Sequence, residues 1–185
     1  MALAHQKVKK IMQVQAISDS KDRRNDPRNR EVVHEAGDPQ IGNLATPINA
    51  SGFTEAYINN LPAYRKGLSP GRRALEIGMA HGYWLIGPFA KLGPLRDTDV
   101  ANLAGLLSTV GLIVILTIAL SLYASSNPPN PTKTITTPRP PDALNSQEGW
   151  NEFASNFLIG GVGGAGIAYL LISNLELLQG LFKIG

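Results

Sequence analysis

The chain has 185 residues, a formal net charge of +3 and no cysteine, which excludes a disulfide framework and any iron–sulfur cluster held by its own thiolates. Its mean hydropathy of −0.03 averages a polar first part, residues 1–70, with three later apolar blocks, so the near-zero value does not argue for a soluble domain.

The head, residues 1–36, carries eight Lys or Arg among few large apolar side chains. Such composition buries too little surface to offset ordering entropy, so the head is predicted to be mobile unless a partner pins it. A basic arm beside membrane segments is better explained by attraction to an anionic membrane surface than by nucleic acid, which is not expected as a partner. The first 30 residues contain no apolar core of the kind a cleavable signal needs, so insertion is expected to be directed by the later helices. Residues 37–71 are turn-rich, with Asp38-Pro39, Thr46-Pro47, Leu61-Pro62 and Ser69-Pro70, and a short amphipathic helix is predicted over Thr54 to Asn60. This segment is expected to lie along the membrane surface.

The first apolar block, Ala74 to Ala90, is short for a spanning helix and contains Glu76 and His81. On hydropathy alone it could be a buried amphipathic helix. Arg72 and Arg73 before it and Lys91, Gly93 and Pro94 after it favour a membrane span over residues 72–91, followed by a short loop, 92–100. The second block, Ala101 to Ala124, has no charge across 24 residues and predicts a span over 101–124. A proline-rich loop is predicted over residues 125–150, with SSNPPNPTKTITTPRPPDALNSQEG from Ser125 to Gly149, and should be stiff and extended, because proline suits neither a helix interior nor a central strand. The third block, uncharged from Phe153 to Leu175 and rich in glycine, predicts a span over 151–178 and leaves 179–185 as the C-terminal end. The fold class that follows is an all-α integral membrane protein with three transmembrane helices and an extended, turn-rich N-terminal region.

Lys and Arg set the orientation. Twelve of the 17 lie in residues 1–73, and Lys133 and Arg139 lie in the second loop, whereas only Lys91, Arg96 and Lys183 remain for the other side. The N-terminus and the proline-rich loop are therefore expected on the cytoplasmic side (stromal, if the membrane is photosynthetic), and the 92–100 loop and C-terminus on the opposite side.

Gly161, Gly163 and Gly166 fit the G-x-G-x-x-G dinucleotide pattern, but they lie inside an apolar segment with no βαβ unit around them, so the match carries no nucleotide chemistry. Helical spacing is more informative. Gly160, Gly164 and Ala168 form one row of small residues, Gly161 and Ala165 another, and Ala74, Gly78 and Gly82 a third. Such rows let a neighbouring backbone or a flat cofactor approach closely.

Glu76 and His81 are the ionisable pair at membrane depth, where a charge costs about 2.5–3.5 kcal/mol at a helix centre. Five positions apart, they are separated by about 140° around a helix, so they cannot chelate one ion. Each could be an axial ligand to a metal already held by a macrocycle; magnesium accepts either imidazole or carboxylate. The alternatives are an ion pair between Glu76 and Arg72 or Arg73, and an interhelical hydrogen bond for His81. In the GPLRDTD loop, Asp97 and Asp99 with nearby carbonyls offer hard oxygens, a weak signal for a cation.

The string NLPAYRKGLSPGRRALEIGMAHGYWLIGPFAKLGPLRDTDVANLAGLL, Asn60 to Leu107, together with GDPQIGNLATPI before it and SQEGW after the loop, resembles subunit XI of photosystem I, the PsaL-type family. The resemblance implies three transmembrane helices, a stromal N-terminus and a lumenal C-terminus in the cyanobacterial thylakoid membrane. It implies no catalysis. The implied role is binding of antenna chlorophyll a and β-carotene, contact with other photosystem I subunits and with lipid, and contact with the same subunit in neighbouring monomers. The family's acid and histidine in LE-G-MAH fall on Glu76 and His81, as axial ligands of two chlorophylls. In trimeric members a calcium site uses the GPLRD loop, which points to the Pro94 carbonyl and the Asp97 carboxylate. The longer basic head and the longer, NPP-containing second loop depart from trimer-forming members and imply a tetramer rather than a trimer. A rival reading without the family is a small transporter or proton relay using Glu76 and His81, which needs polar groups on the other two helices to continue the path.

Overall fold

A computed structural model describes residues 33–36, 40 and 42–175. Nearly all of the basic head and the whole of 179–185 lie outside the described residues. The chain divides into two compact units, Met1–Ser51 and Gly52–Gly185. In the first, β1 (His34–Glu35) pairs antiparallel with β2 (Leu44–Ala45), His34 opposite Ala45, a small pairing that the turn-rich sequence did not announce. Just beyond β2, Thr46 and Asn49 cap one another: the Thr46 N–H donates to Asn49 Oδ1 at 2.7 Å and the Asn49 N–H to Thr46 Oγ1 at 3.1 Å. The proline at 47 fits this turn, since its missing N–H is not required there.

The second unit is helical. α1 spans Gly52–Asn60, α2 Pro70–Leu92, α3 Ala101–Ser125 and α4 Gln147–Ser173, with a 3-10 turn at Asp142–Asn145 before α4. The Leu61-Pro62 step ends α1, because a residue preceding proline disfavours helical backbone. α2 begins with three agreeing signals: Ser69 accepts from the Arg72 N–H at 3.2 Å, Pro70 occupies the first turn, and the Gly71 N–H donates to Glu152 Oε1 of α4 at 3.0 Å. A carboxylate at a helix N-terminus meets both free N–H groups and the positive end of the dipole. α4 starts earlier than the apolar pattern indicates, at Gln147 rather than 151. Its first turn is polar, yet Ser146 caps it by accepting from the Gly149 N–H at 3.0 Å. The helix is set by its cap, and hydropathy cannot see a cap.

α2 and α4 share the largest interface, and α3 packs against both. The contact is backbone on backbone. A side chain on Gly78 would strike the Phe157 carbonyl, one on Gly82 the Gly161 carbonyl, one on Gly160 the Leu75 carbonyl and one on Gly164 the Met79 carbonyl. Glycines from the two helices thus interlock, and Gly161 also receives Ile113 of α3 at close range. All three small-residue rows are buried, so helices, not a flat cofactor, occupy them. Close approach of this kind replaces the hydrophobic drive that lipid would remove. Around the seam, Ala74, Ile113, Phe153 and Phe157 form the apolar core.

Among the described residues two helices, α3 and α4, are long and apolar enough to cross a membrane. Their apolar side chains are mostly outside the bundle: Leu107, Ile115, Ile118 and Leu122 on α3 are exposed, as are Ile159, Ile167 and Leu170 on α4. A core helix of a water-soluble domain would hide these. α2 is not one of these two helices: Glu76, His81, Pro88 and its glycines lower its hydropathy.

Gly82→Ala should overpack the seam and destabilise the fold by about 1–3 kcal/mol. Gly163→Ala, where an added carbon meets nothing, should be neutral or slightly stabilising. Thermal unfolding of the two variants in detergent checks this; equal midpoints would show that the seam does not require its glycines.

Candidate functional site

Both membrane-depth ionisable residues sit on α2. Glu76, one to two turns in, is half-buried, and its partner is neither arginine that helical spacing suggested. Arg65 Nη2 lies 2.5 Å from both carboxylate oxygens. The chain between α1 and α2 turns back along the start of α2, which brings both the Arg65 guanidinium and the Pro62 carbonyl against it. That carbonyl accepts from Arg73 Nη1 at 2.9 Å and draws the Arg73 side chain inward, 5% exposed, with its Nε left without a partner. Arg72 is exposed. The correction to the Arg72 or Arg73 pairing is therefore a tertiary contact replacing a local one.

His81 lies on the exposed surface of α2. Its ring meets Phe157 of α4 edge-on at 5.5 Å between centroids, and its Nδ1 is 2.8 Å from the Ile77 carbonyl. A carbonyl only accepts, so Nδ1 carries a proton, and in the neutral ring the lone pair is on Nε2. The histidine bond is thus within its own helix, not between helices as one alternative expected. An imidazole oriented by a carbonyl on one nitrogen and open at the other is the usual form of a metal-ligating histidine.

These observations test whether a magnesium-centred macrocycle fits. His81 suits it: the ring is held, the ligating nitrogen is free and the site is open to an apolar neighbour. Glu76 suits it less simply, since its carboxylate already serves Arg65. A carboxylate has about four lone-pair sites, so an arginine on one side leaves oxygen capacity for a metal. The two residues make no hydrogen bond to one another, in keeping with their angular separation on the helix.

Among the described residues no continuous proton path forms. Thr109, Thr117 and Ser121 each donate to the carbonyl four residues earlier on α3, and Asn156 donates to the Glu152 carbonyl on α4. These polar groups are occupied by their own helices. In the α2–α3 loop, Pro94 and Asp97 are exposed and Asp97 pairs with Arg96 at 3.4 Å. Among the described residues no group of three or more His, Cys, Asp or Glu gathers to hold a metal. Two oxygens fall short of the six to eight a calcium ion takes, so a site here would need further oxygens from outside this chain.

Sequence reasoning missed Arg65 and Phe157 as the neighbours that shape the pair. The signal for Arg65 was present in LPAYR: a cation just after a proline turn and shortly before a helix bearing one acid.

Comparison with known proteins adds an independent line. A family model described as photosystem I reaction centre subunit XI matches residues 31–177. A photosystem I reaction center subunit XI of Nostoc punctiforme is 66% identical over 170 residues, covering 91% of this chain and 98% of the relative. That of Mastigocladus laminosus is 66% identical over 169 residues, covering 91% and 98%, and that of Synechococcus elongatus is 57% identical over 157 residues, covering 84% and 94%.

A double-mutant cycle on Arg65→Ala and Glu76→Ala should give a coupling of about 1 kcal/mol, modest because both side chains keep about a third of their exposure. The matching cycle on Arg72 and Glu76 should give none. Chemical unfolding of the detergent-solubilised chain supplies both values, and coupling to Arg72 instead would refute the assigned partner.

Proposed function

The chain belongs to the photosystem I reaction centre subunit XI family, and from that premise we propose that it carries antenna pigment and joins neighbouring photosystem I monomers. It is a non-catalytic subunit of photosystem I, and its membrane is the cyanobacterial thylakoid. The finer reading has α2, α3 and α4 as three spans, with the N-terminus and proline-rich loop stromal and the 92–100 loop and C-terminus lumenal. At 23 residues α2 is about 35 Å long, enough for a hydrocarbon core of about 30 Å. Arg65 offsets the charge of Glu76, and Arg72 and Lys91 lie near opposite ends, where such side chains reach the interface. The outward side chains Met79, Tyr83, Trp84 and Leu92 are apolar or aromatic, which suits lipid or a neighbouring subunit.

In this reading His81, through Nε2, and Glu76, through its carboxylate, are axial ligands of two chlorophyll a molecules on two sides of α2. The observation that carries it is the His81 geometry: Nδ1 fixed by Ile77 and Nε2 free on an open, apolar helix face. Chlorophyll supplies light absorption and excitation transfer when bound. The chain's part is position: the glycine seam fixes α2, Ile77 and Phe157 fix the imidazole, and Arg65 fixes the carboxylate. β-Carotene and membrane lipid would line the exposed apolar faces of α3 and α4. The monomer contacts would use those faces and the proline-rich loop, in a tetramer rather than a trimer. Calcium at the Pro94 carbonyl and Asp97 would complete its shell with oxygens of a neighbouring chain.

His81→Leu and Glu76→Gln should each lower the chlorophyll content of the purified complex. Pigment extraction against protein checks this, and unchanged chlorophyll in both variants would reject the ligand assignment. Removing residues 128–140 should shift the complex to smaller assemblies on a native gel; an unchanged pattern would take the loop out of the contact.

A further inference from the structure

One cavity in the second unit touches the pigment reading only at Arg65. It encloses about 560 Å³ between α1, the α1–α2 connection and the proline-rich loop, a size within the range of small-ligand pockets. Arg65, Lys66 and Arg139 line it, with Glu55 as the one acid. These cations are not a solvated run on one helix. Arg139 arrives from a loop more than seventy positions away, held in place because Asn59 Nδ2 of α1 donates to the Thr136 carbonyl at 2.7 Å. Within that loop the Thr134 and Thr137 hydroxyls bond at 2.7 Å and the Thr137 N–H donates to Thr134 Oγ1 at 2.9 Å, so the turn that presents Arg139 is built.

The charges do not balance. Arg65 is matched by Glu76, but Lys66 and Arg139 have no ion-pair partner among the described residues, and Glu55 does not reach them. Bringing like charges to one concavity is unfavourable unless an anion lies between them. Guanidinium and ammonium groups together suit a tetrahedral oxyanion, which accepts several charge-assisted hydrogen bonds. The source of that oxyanion follows from α1. Phe53 and Tyr57, one turn apart beside the cavity-lining residues, stack at 6.4 Å and are 81% and 58% exposed. Exposed aromatic pairs of this kind belong at the headgroup level of a bilayer, where anionic lipid attracts basic groups.

We propose that the cavity framed by Asn59, Lys66 and Arg139 binds the phosphate or sulfonate group of an anionic membrane lipid. The proline-rich loop then has a second task besides spacing two helices, since it delivers one of the two free cations.

The test uses the assembled photosystem I complex containing this chain, stripped of lipid by detergent exchange. It is exposed to phosphatidylcholine vesicles carrying a photo-crosslinkable phosphatidylglycerol or, in parallel, a photo-crosslinkable phosphatidylcholine. The anionic probe should tag peptides around residues 52–66 and 132–139 about 25-fold more than the neutral one, about five-fold for each unpaired cation. Lys66→Gln and Arg139→Gln should each lose about five-fold, and the double variant should fall to the neutral-probe level with chlorophyll content unchanged. Equal tagging by both probes, or tagging unchanged in the variants, overturns the proposal. Displacement of the probe by millimolar inorganic phosphate assigns the cavity to a soluble anion and overturns the lipid source. A crosslink from Lys66 to an acidic segment of another subunit in the untreated complex overturns it in favour of a protein partner.

Discussion

The interlocking of α2 and α4 backbones is the contact on which the rest depends. Gly78 and Gly82 face carbonyls of α4, while Gly160 and Gly164 face carbonyls of α2, so neither helix can shift along the other without a clash. In a bilayer, apolar side chains gain little by leaving lipid for a protein neighbour, and close van der Waals contact must do more of the holding. The same seam admits Ile113 of α3 against Gly161, so the third helix is keyed to the first two. The Gly71 N–H to Glu152 bond closes one end of the α2–α4 pair.

Because the seam uses the small residues, the large ones face outward. That inversion explains why so many leucines and isoleucines are exposed and why the surface can accept lipid, pigment or a neighbouring subunit. It also places the two ionisable residues of α2. Phe157, next to the seam on α4, meets the His81 ring, and Ile77 ties its Nδ1, so the imidazole is oriented by groups that the helix pair itself fixes. Glu76 depends instead on the segment before α2. Arg65 and the Pro62 carbonyl lie against the first turns and hold Glu76 and Arg73 in different directions.

The layer outside the long helices is more organised than its composition suggests. α1 and the proline-rich loop are joined by the Asn59–Thr136 bond. In the first turn of α4, Trp150 donates from Nε1 to the Leu144 carbonyl at 2.6 Å and its ring meets Tyr123 of α3 at 4.9 Å. A stiff loop anchored at intermediate points presents its charged groups in fixed places, which a flexible linker of equal length would not.

Much was legible in the chain alone. Uninterrupted apolar runs gave α3 and most of α4, because helix length and hydropathy are local properties; small residues at helical spacing marked the packing faces, and the spacing of Glu76 and His81 put them beside different neighbours. The family itself was readable in the continuous string from Asn60 to Leu107. What the sequence left open was decided by contacts between segments distant along the chain. The glycine rows could have received a flat cofactor, and only the packed helices show that Gly78, Gly82, Gly160 and Gly164 meet backbone while Gly161 meets the Ile113 side chain. Helical spacing offered Arg72 and Arg73 to Glu76, but a reversal at Leu61-Pro62 brought Arg65 there first, and no periodicity encodes a reversal. The small rows and the charges determined what could meet; the path of the chain in three dimensions decided what did, because a pair of groups interacts by distance in space and not by separation in sequence.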